Sequence, residues 1–161
     1  MRALCAGLLM LLGGCASQPV QTSQPAASNS HWQGRLAVKV FSKPVQAFSA
    51  NFELDGGPAK GVLVLSSPLG TTLARMQWEE GKEGFATLSA HGEQRDFGSL
   101  QELALKATGA DLPVTTLFAW LQGQAEEAPG WQVDLSELQA GRIQAKHPEE
   151  VQSELKIILE R

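Results

Sequence analysis

The side chains of this sequence that could carry out chemistry are three histidines, several paired carboxylates and two cysteines. Histidines beside carboxylates can bind a metal ion or act as general acids and bases. His31 follows a linker-like segment, and His91 and His147 adjoin the turn residues Gly92 and Pro148. None of these positions has metal-ligand spacing, so we expect solvated loop histidines and no metal site.

The acidic pairs also adjoin turn residues, which favours a solvated surface over a catalytic carboxylate pair; they are Glu79-Glu80, Glu126-Glu127 and Glu149-Glu150. The sequence contains neither a G-x-S-x-G nucleophile elbow nor a phosphate-binding glycine loop. We therefore expect a protein that is not an enzyme and has no cofactor. The chain has 13 basic and 17 acidic residues, a net charge of −4 and no run of Lys or Arg, which argues against a nucleic-acid partner.

Cys15 ends a segment that is typical of an export signal. A basic start precedes the apolar stretch Ala3–Leu12, which is shorter than a usual membrane-spanning helix. Leu12-Gly13-Gly14-Cys15 resembles a bacterial lipobox, which implies cleavage before Cys15 and lipidation of the new N-terminus. The alternative is an ordinary export signal in which the cysteine is incidental. The predicted signal peptide covers residues 1–14, and removal of Cys5 with it leaves no cysteine pair for a disulfide.

Residues 15–30 form the predicted lipidated N-terminus and tether. From Ala16 to Ser30 there is no charged or aromatic side chain, and Ser, Gln, Pro and Ala predominate. Such a segment cannot bury enough apolar surface to fold, so we expect a flexible linker. In enterobacterial-type sorting, an Asp directly after the lipobox cysteine retains a lipoprotein in the inner membrane. By that resemblance Ala16 points to the outer membrane.

Residues 31–161 are predicted to form one domain. Strand signals separated by turns recur about every ten residues in six segments, as in an antiparallel meander, and apolar and polar residues alternate in the first two; the predicted strands are Trp32–Val40, Ala47–Leu54, Gly61–Leu65, Thr71–Trp78, Gly84–Ala90 and Gln94–Phe97. Ser99 and Glu102 form a capping box for a helix that Gly109 ends, and a second helix covers Val114–Gln122. Strands return at Trp131–Leu135, Arg142–Lys146 and Ser153–Leu159.

Ser67-Pro68-Leu69-Gly70 predicts a tight turn between the third and fourth strands, because Pro68 has a fixed φ and Gly70 suits the last position. The turn places Leu69 at the tip of a loop, where polar residues are usual. One interpretation is that the turn folds back and buries Leu69. The other is that Leu69 projects into solvent.

The apolar positions of the predicted strands and helices must face a common interior. Periodicity favours a solid core; the side chains assigned to it are Phe48, Phe52, Met76, Trp78, Phe85, Leu88 and Trp120. An enclosed cavity cannot be recognised from periodicity.

Taken together, these segments resemble the LolB family of outer-membrane lipoprotein receptors. The similarity runs in family order from the lipobox through most of the domain; its segments are Trp32–Val38, Phe48–Glu53, Leu65–Gly70, Thr108–Pro113 and Trp120–Gly123. The resemblance implies a mainly β fold with helices, a half-open antiparallel β-barrel of the LolA/LolB type lidded by short helices.

The resemblance also implies a protein that accepts lipoproteins in an apolar acyl-chain cavity and inserts them into the inner leaflet of the outer membrane. The family's projecting leucine maps onto Leu69, with Pro68 and Gly70 completing the membrane-insertion loop. The cavity-lining candidates are Phe48, Phe52, Leu63, Leu65, Met76, Trp78, Phe85, Leu88, Leu103, Leu117 and Trp120.

The implied partners are a lipid-loaded periplasmic carrier of the LolA type, the acyl chains of client lipoproteins and outer-membrane phospholipid, and we expect a monomer. The alternative is an outer-membrane lipoprotein that binds a free hydrophobic ligand or has a structural role, without transfer. Two features depart from the family: the region after Gly123 is brief, and a helix before Trp32 has little room. We therefore expect a smaller cavity, or a lid made mainly of the two predicted helices.

Overall fold

The computed structural model describes residues 30–81, 85–148 and 152–160. These residues contain a nine-stranded sheet, two α-helices and one short 3-10 helix. The strands are β1 (His31–Val40), β2 (Gln46–Gly56), β3 (Lys60–Ser66), β4 (Thr72–Glu79), β5 (Ala86–Ala90), β6 (Glu93–Phe97), β7 (Gln132–Asp134), β8 (Arg142–His147) and β9 (Ser153–Leu159). The α-helices are α1 (Leu100–Thr108) and α2 (Val114–Leu121), and the 3-10 helix covers Leu138–Ala140.

The sheet has the strand order β6-β5-β4-β3-β2-β1-β9-β8-β7, and every neighbouring pair is antiparallel. β6 and β7 form the two edges and do not pair with each other within the described residues. The sheet is therefore open, as in an incomplete barrel, and the predicted fold class is confirmed.

All nine predicted strands are present, with bounds within two residues of the predicted ones. β2 is longer than predicted because it begins at Gln46 and continues to Gly56, whereas β7 keeps only Gln132–Asp134. The predicted start of the fifth strand, Gly84, lies outside the described residues. The 3-10 helix was not predicted, because a single short turn has no periodicity to recognise.

β1 lies in the middle of the sheet because it pairs with β2 on one side and with β9 on the other. This pairing joins the meander of β1 to β6 to the three C-terminal strands. Gly34 lies in the junction, where an added Cβ would be 2.0 Å from the carbonyl oxygen of Ile158. A glycine is needed here because the two backbones approach so closely.

The α1 helix has the predicted caps at both ends. Ser99 Oγ accepts a hydrogen bond from the Glu102 backbone N–H at 3.1 Å, and Glu102 Oε2 accepts one from the Gly98 N–H at 3.2 Å. Gly109 has a φ of 73° and donates its N–H to the carbonyl oxygen of Leu105 at 2.8 Å. These caps satisfy helix-end groups that would otherwise need water.

We call the inner face the side of the sheet that carries Leu54, Leu63, Met76 and Leu88. These four residues are directly opposite one another in the register of β2, β3, β4 and β5. Their side chains belong to one apolar core cluster or pack against it. The alternation that the sequence shows in β2, with Leu54 on its apolar side, therefore identifies the buried side of the sheet correctly.

Both helices cover the inner face. The Phe118 ring of α2 packs edge-on against Trp32 of β1 and Trp78 of β4, with ring centroids 6.1 and 6.2 Å apart. Leu103 of α1 and Trp120 of α2 are fully buried in the same cluster. The helices thus lie on the sheet as a lid.

Candidate functional site

The β3–β4 turn carries Leu69 at the end of the sheet. The Gly70 N–H donates to the carbonyl oxygen of Ser67 at 2.9 Å, which closes the turn that the sequence predicts. Leu69 is 95% exposed, and Pro68 and Gly70 are exposed beside it. The interpretation in which the turn folds back and buries Leu69 is therefore wrong.

Further hydrogen bonds anchor this turn. The Ser67 N–H donates to the carbonyl oxygen of Thr71 at 2.8 Å, and the Thr71 N–H donates to Ser67 Oγ at 3.2 Å. Asn51 Nδ2 on the neighbouring β2 donates to the carbonyl oxygen of Ser67 at 3.3 Å. Gly70 has a φ of 83°, a conformation that favours glycine. The turn therefore presents Leu69 as a fixed apolar tip.

All of the residues predicted to line a cavity lie in one apolar interior between the sheet and the helices. The buried ones are Phe52, Leu65, Met76, Trp78, Leu103 and Trp120. The half-buried ones that pack against them are Phe48, Leu63, Phe85, Leu88 and Leu117. The structure therefore brings the predicted set together, although the residues come from six different elements and one loop.

The polar atoms at the margin of this interior have protein partners. Trp78 Nε1 donates to the carbonyl oxygen of Gly57 at 2.8 Å, and Trp120 Nε1 donates to that of Glu126 at 2.8 Å. Across the described residues, no buried side-chain N or O atom lacks a hydrogen-bond partner. Within this part of the chain, the buried side chains thus leave no unpartnered N or O atom to orient a polar ligand, and the chemistry of the interior suits hydrocarbon.

A surface groove of about 220 Å³ lies where the end of α1 meets the β1–β2 hairpin; it is lined by Val38, Gln46, Ala47, Phe48 and residues 106–109. Phe48 is half-buried and also packs against the core cluster. The groove therefore lies next to the apolar interior.

Two histidines differ from the prediction of solvated loop residues, because each belongs to a strand. His31 begins β1, and its Nδ1 lies 2.7 Å from Asp55 Oδ1 on β2. This hydrogen bond to Asp55 raises the pKa of His31 above its ordinary value. His147 ends β8, and its ring packs edge-on against Trp131 with centroids 5.5 Å apart. His91 lies in the exposed β5–β6 turn, as expected.

His31, Glu53 and Asp55 bring potential metal-ligand atoms within 4.8 Å of one another. The grouping is created by the β1–β2 register and could not be read from spacing along the sequence. All three side chains are exposed, and Asp55 is already hydrogen-bonded to His31. We therefore interpret these three residues as interacting surface side chains and not as a metal site, because exposed ligand atoms are heavily hydrated and offer no shielded site for an ion.

The acidic pairs occupy the surface wherever the structure describes them. Glu79 Oε1 lies 3.3 Å from Lys60 Nζ, and Glu80, Glu126 and Glu127 are exposed. Glu149-Glu150 lies outside the described residues, as do Cys15, the predicted signal peptide and nearly all of the predicted tether. Within the described ranges, which begin at residue 30, no helix is long and apolar enough to cross a membrane.

Phe118 is the contact residue that the sequence interpretation missed. The helical spacing of Leu117, Trp120 and Leu121 was recognised, but the ring that contacts two sheet tryptophans follows Leu117 directly. Its position four residues after Val114 was the available signal, since positions i and i+4 share a helix face.

Comparison with known proteins places these features in a family. The family model described as "Outer membrane lipoprotein LolB" matches residues 29–152. A protein named outer-membrane lipoprotein LolB from Bordetella petrii is 37% identical over 130 residues, which are 78% of this chain and 64% of that relative.

Two further proteins of that name give similar matches. The one from Chromobacterium violaceum is 29% identical over 134 residues, which are 80% of this chain and 70% of the relative. The one from Vibrio cholerae is 32% identical over 149 residues, which are 83% of this chain and 68% of the relative. The matched part thus leaves about a third of each relative's length outside the comparison. Because the family model covers most of the chain, this protein belongs to the outer membrane lipoprotein LolB family.

Proposed function

We propose that this chain is an outer-membrane lipoprotein receptor that accepts lipoproteins from a periplasmic carrier and inserts them into the inner leaflet of the outer membrane. The observation that carries the proposal is the combination of an exposed Leu69 on an anchored turn with an apolar interior under a helical lid. Membership of the LolB family and the names of its relatives support the same role. The role is binding and transfer, so it needs no catalytic residue.

The cargo of such a receptor is the set of acyl chains on a client lipoprotein. Burying each CH₂ contributes about 0.8 kcal/mol, so one palmitoyl-length chain contributes on the order of 10 kcal/mol. The apolar side chains of the inner face and of both helices would supply the receiving site. Because the sequence has no phosphate-binding loop, transfer would run down a gradient of affinity from carrier to receptor to bilayer.

Uptake requires the lid to move, because Phe118 packs between Trp32 and Trp78 in the described structure. Removing a buried Phe contact costs about 3–5 kcal/mol by the measure of Phe→Ala substitutions. Because the acyl chains are already buried in the carrier, this cost has to be offset by a higher affinity of the open receptor for the cargo. The groove beside Phe48 is the proposed entrance, because it lies where α1 ends against the β1–β2 hairpin.

Leu69 would act at the delivery step. Burial of one leucine side chain in a bilayer contributes about 1.5–3 kcal/mol, which is enough for transient contact and too little for permanent attachment. Permanent attachment would come from lipidated Cys15, with residues 16–30 as a flexible tether. Ala16 is consistent with residence in the outer membrane, as the names of the relatives also indicate.

A Leu69→Glu variant tests the delivery step. A carboxylate at the tip opposes insertion into hydrocarbon, so client transfer from a loaded carrier to liposomes should fall strongly while client acceptance continues. Ile158→Glu is the matched control, because Ile158 is an exposed aliphatic residue on β9, at 49% exposure, away from the Leu69 turn. Normal transfer by Leu69→Glu would refute the role of the turn.

Complex formation with the carrier tests the receptor role itself. A receptor forms a complex with a lipid-loaded carrier and removes its cargo, whereas a protein that binds a free hydrophobic ligand or has a structural role does neither. Cross-linking followed by mass analysis of the client distinguishes the two. A client that stays on the carrier would refute the proposed function.

A further inference from the structure

Strand directions place three turns at one end of the sheet. β1, β3 and β5 run towards that end, and β2, β4 and β6 run away from it, because each neighbouring pair is antiparallel. The β1–β2, β3–β4 and β5–β6 turns therefore lie at the same end. The β2–β3 turn, which contains Ala59, lies at the opposite end.

Exposed apolar side chains are concentrated at this end. The structure describes five exposed large hydrophobic residues, and three of them lie in these turns: Phe41 at 39%, Val45 at 55% and Leu69 at 95% exposure. The remaining two are Leu105, which lies on α1 and not on a turn of the sheet, and Ile158, which lies near the other end of β9. We call Phe41, Val45 and Leu69 the apolar rim.

The two rim turns are neighbours in the sheet. In the strand order β4-β3-β2-β1, these turns close two adjacent hairpins, so the turns are separated laterally by about 10 Å, two strand spacings. The β1–β2 pairing continues to Val40 and Gln46, whereas the β2–β3 pairing ends at Asn51 and Ser66. The hairpin thus extends roughly 17 Å beyond the last β2–β3 pair.

The chemistry of the hairpin fits a lipid surface better than a protein surface. Lys39 Nζ lies 4.5 Å from the centroid of the Phe41 ring, and Lys43 is exposed in the same turn. Long cationic side chains beside apolar ones are suited to the headgroup boundary, where the charge stays hydrated. Glu154 lies opposite Lys39 in the register, so attraction would come mainly from apolar contact and not from net charge.

The shape of the rim points to the same partner. Stable protein interfaces bury roughly 800 Å² on each partner over a continuous surface. The rim instead consists of separate side chains on turn tips, which can each enter a fluid layer without a complementary surface.

Ser42 Oγ donates to the carbonyl oxygen of Pro44 at 2.7 Å, which helps to hold the β1–β2 turn in shape.

We propose that the β1–β2 turn is a second membrane-contacting element, in which Phe41 and Val45 enter the bilayer together with Leu69. This inference rests on the proposed function, because it extends the membrane contact assigned there to Leu69. Two contact points separated along the rim fix the orientation of the domain on the bilayer, which one inserted leucine cannot do. The orientation places the groove beside Phe48 near the membrane, since Phe48 lies on β2 close to the hairpin.

The position of the turn is tested with fluorescent labels on the full chain. The single substitutions Phe41→Cys, Val45→Cys, Leu69→Cys and, as a control at the opposite end, Ala59→Cys each provide a site for an environment-sensitive dye. The protein is bound to vesicles of phosphatidylcholine with brominated acyl chains, which quench only labels that enter the hydrocarbon. We expect quenching at positions 41, 45 and 69 and none at position 59.

The pattern of quenching separates this inference from the proposed function. Quenching at 69 without quenching at 41 and 45 overturns the inference and leaves the role of Leu69 intact. Quenching at 41 and 45 without 69 overturns the joint insertion with Leu69 and also contradicts the role of Leu69 in the proposed function. No quenching at any rim position, or equal quenching at 59, overturns the inference.

A functional variant provides the second readout. Phe41→Ser combined with Val45→Ser should slow delivery from the receptor to vesicles about tenfold, the effect of losing two partly inserted apolar side chains. Client acceptance should be unchanged. Ile158→Ser removes an aliphatic side chain of similar exposure away from the rim and should deliver normally. Unchanged delivery by the double variant, confirmed as folded by thermal unfolding, would overturn the inference.

Discussion

At the scale of single residues, Leu69 and His31 are both exposed, and neighbouring strands determine their surroundings. Leu69 is held outward by the hydrogen bonds of Ser67 and Asn51. His31 is held by Asp55, directly opposite it on β2. His31 begins β1 and therefore lies at the end of the sheet opposite the Leu69 turn. Protonation of His31 is thus a local property of the β1–β2 pair, remote from the proposed membrane contact.

The His31–Asp55 pair predicts a measurable pKa. Asp55 accepts a hydrogen bond from His31 and favours its protonated form, so the pKa of His31 is raised. The contribution of this pair to stability is therefore fully present at pH values below the ordinary histidine pKa. It is lost as the pH rises through the raised pKa of His31 in the folded protein. In an NMR titration, Asp55→Asn should lower the pKa of His31. Asp134→Asn, on the distant β7, should leave it unchanged, and an equal response to both substitutions would contradict the assignment.

At the scale of elements, the β1–β9 pairing is the contact that makes one sheet from two sets of strands. Its register brings Gly34 opposite Leu159 on one side and Phe52 on the other. The side that faces β9 has no room for a side chain, because the nearest atoms are backbone atoms of Ile158 and Leu159. Backbone atoms in a paired strand cannot move aside as the end of a flexible side chain can.

Gly34→Ala should therefore destabilise the domain substantially. Because the new Cβ would be 2.0 Å from the Ile158 carbonyl oxygen, β1 and β9 must separate locally. We expect a loss of about 3 kcal/mol or more in the free energy of unfolding, at the upper end of overpacking effects. Gly57→Ala is the control, because no atom lies within 4 Å of its added Cβ, and it should change stability by less than about 0.5 kcal/mol. Similar denaturant midpoints for the two variants would contradict the proposed steric cause.

The sequence predicts the elements well because local patterns determine them. Period-two alternation identified β1 and β2, turn residues at a spacing of about ten residues marked the other strands of the meander, and the Ser99 cap and Gly109 stop identified α1. The partners of the strands were not predictable in the same way, since alternation shows which side chains share a face but not which strand lies beside which. The central place of β1 between β2 and β9 is such a long-range result.

The candidate site, like the fold, was predictable from the sequence only where local residues determine the structure. The Leu69 turn was predictable because Pro68 and Gly70 determine its backbone. The contact of Phe118 with Trp32 and Trp78 depends on how α2 crosses the sheet, which helical spacing cannot provide. The His31–Asp55 pair and the apolar rim depend on register and strand direction, so they became visible only in the folded chain.

At the scale of the whole molecule, the apolar interior would hold the cargo in the proposed transfer, and the apolar rim would contact the membrane that receives it. The interior is covered by α1 and α2, so cargo in it would be shielded from water. The rim is exposed at the end of the sheet, beside the groove where α1 ends. Movement of the helices would therefore expose cargo towards the end of the sheet at which the proposed bilayer contact lies. The proposed transfer needs both features, because a closed interior without a membrane contact would retain its cargo.

Acyl-chain entry into the interior is testable by tryptophan quenching. Trp78 and Trp120 are 5% and 0% exposed, so aqueous iodide should quench them weakly. A brominated fatty acid of palmitoyl length that enters under the helices would contact them and quench strongly, while the unbrominated acid controls for changes in conformation. Trp78→Phe and Trp120→Phe variants assign the quenching to each ring. If the brominated acid quenches no more than its unbrominated counterpart, the interior stays closed to acyl chains. Lipoprotein binding would then have to use another surface of the domain.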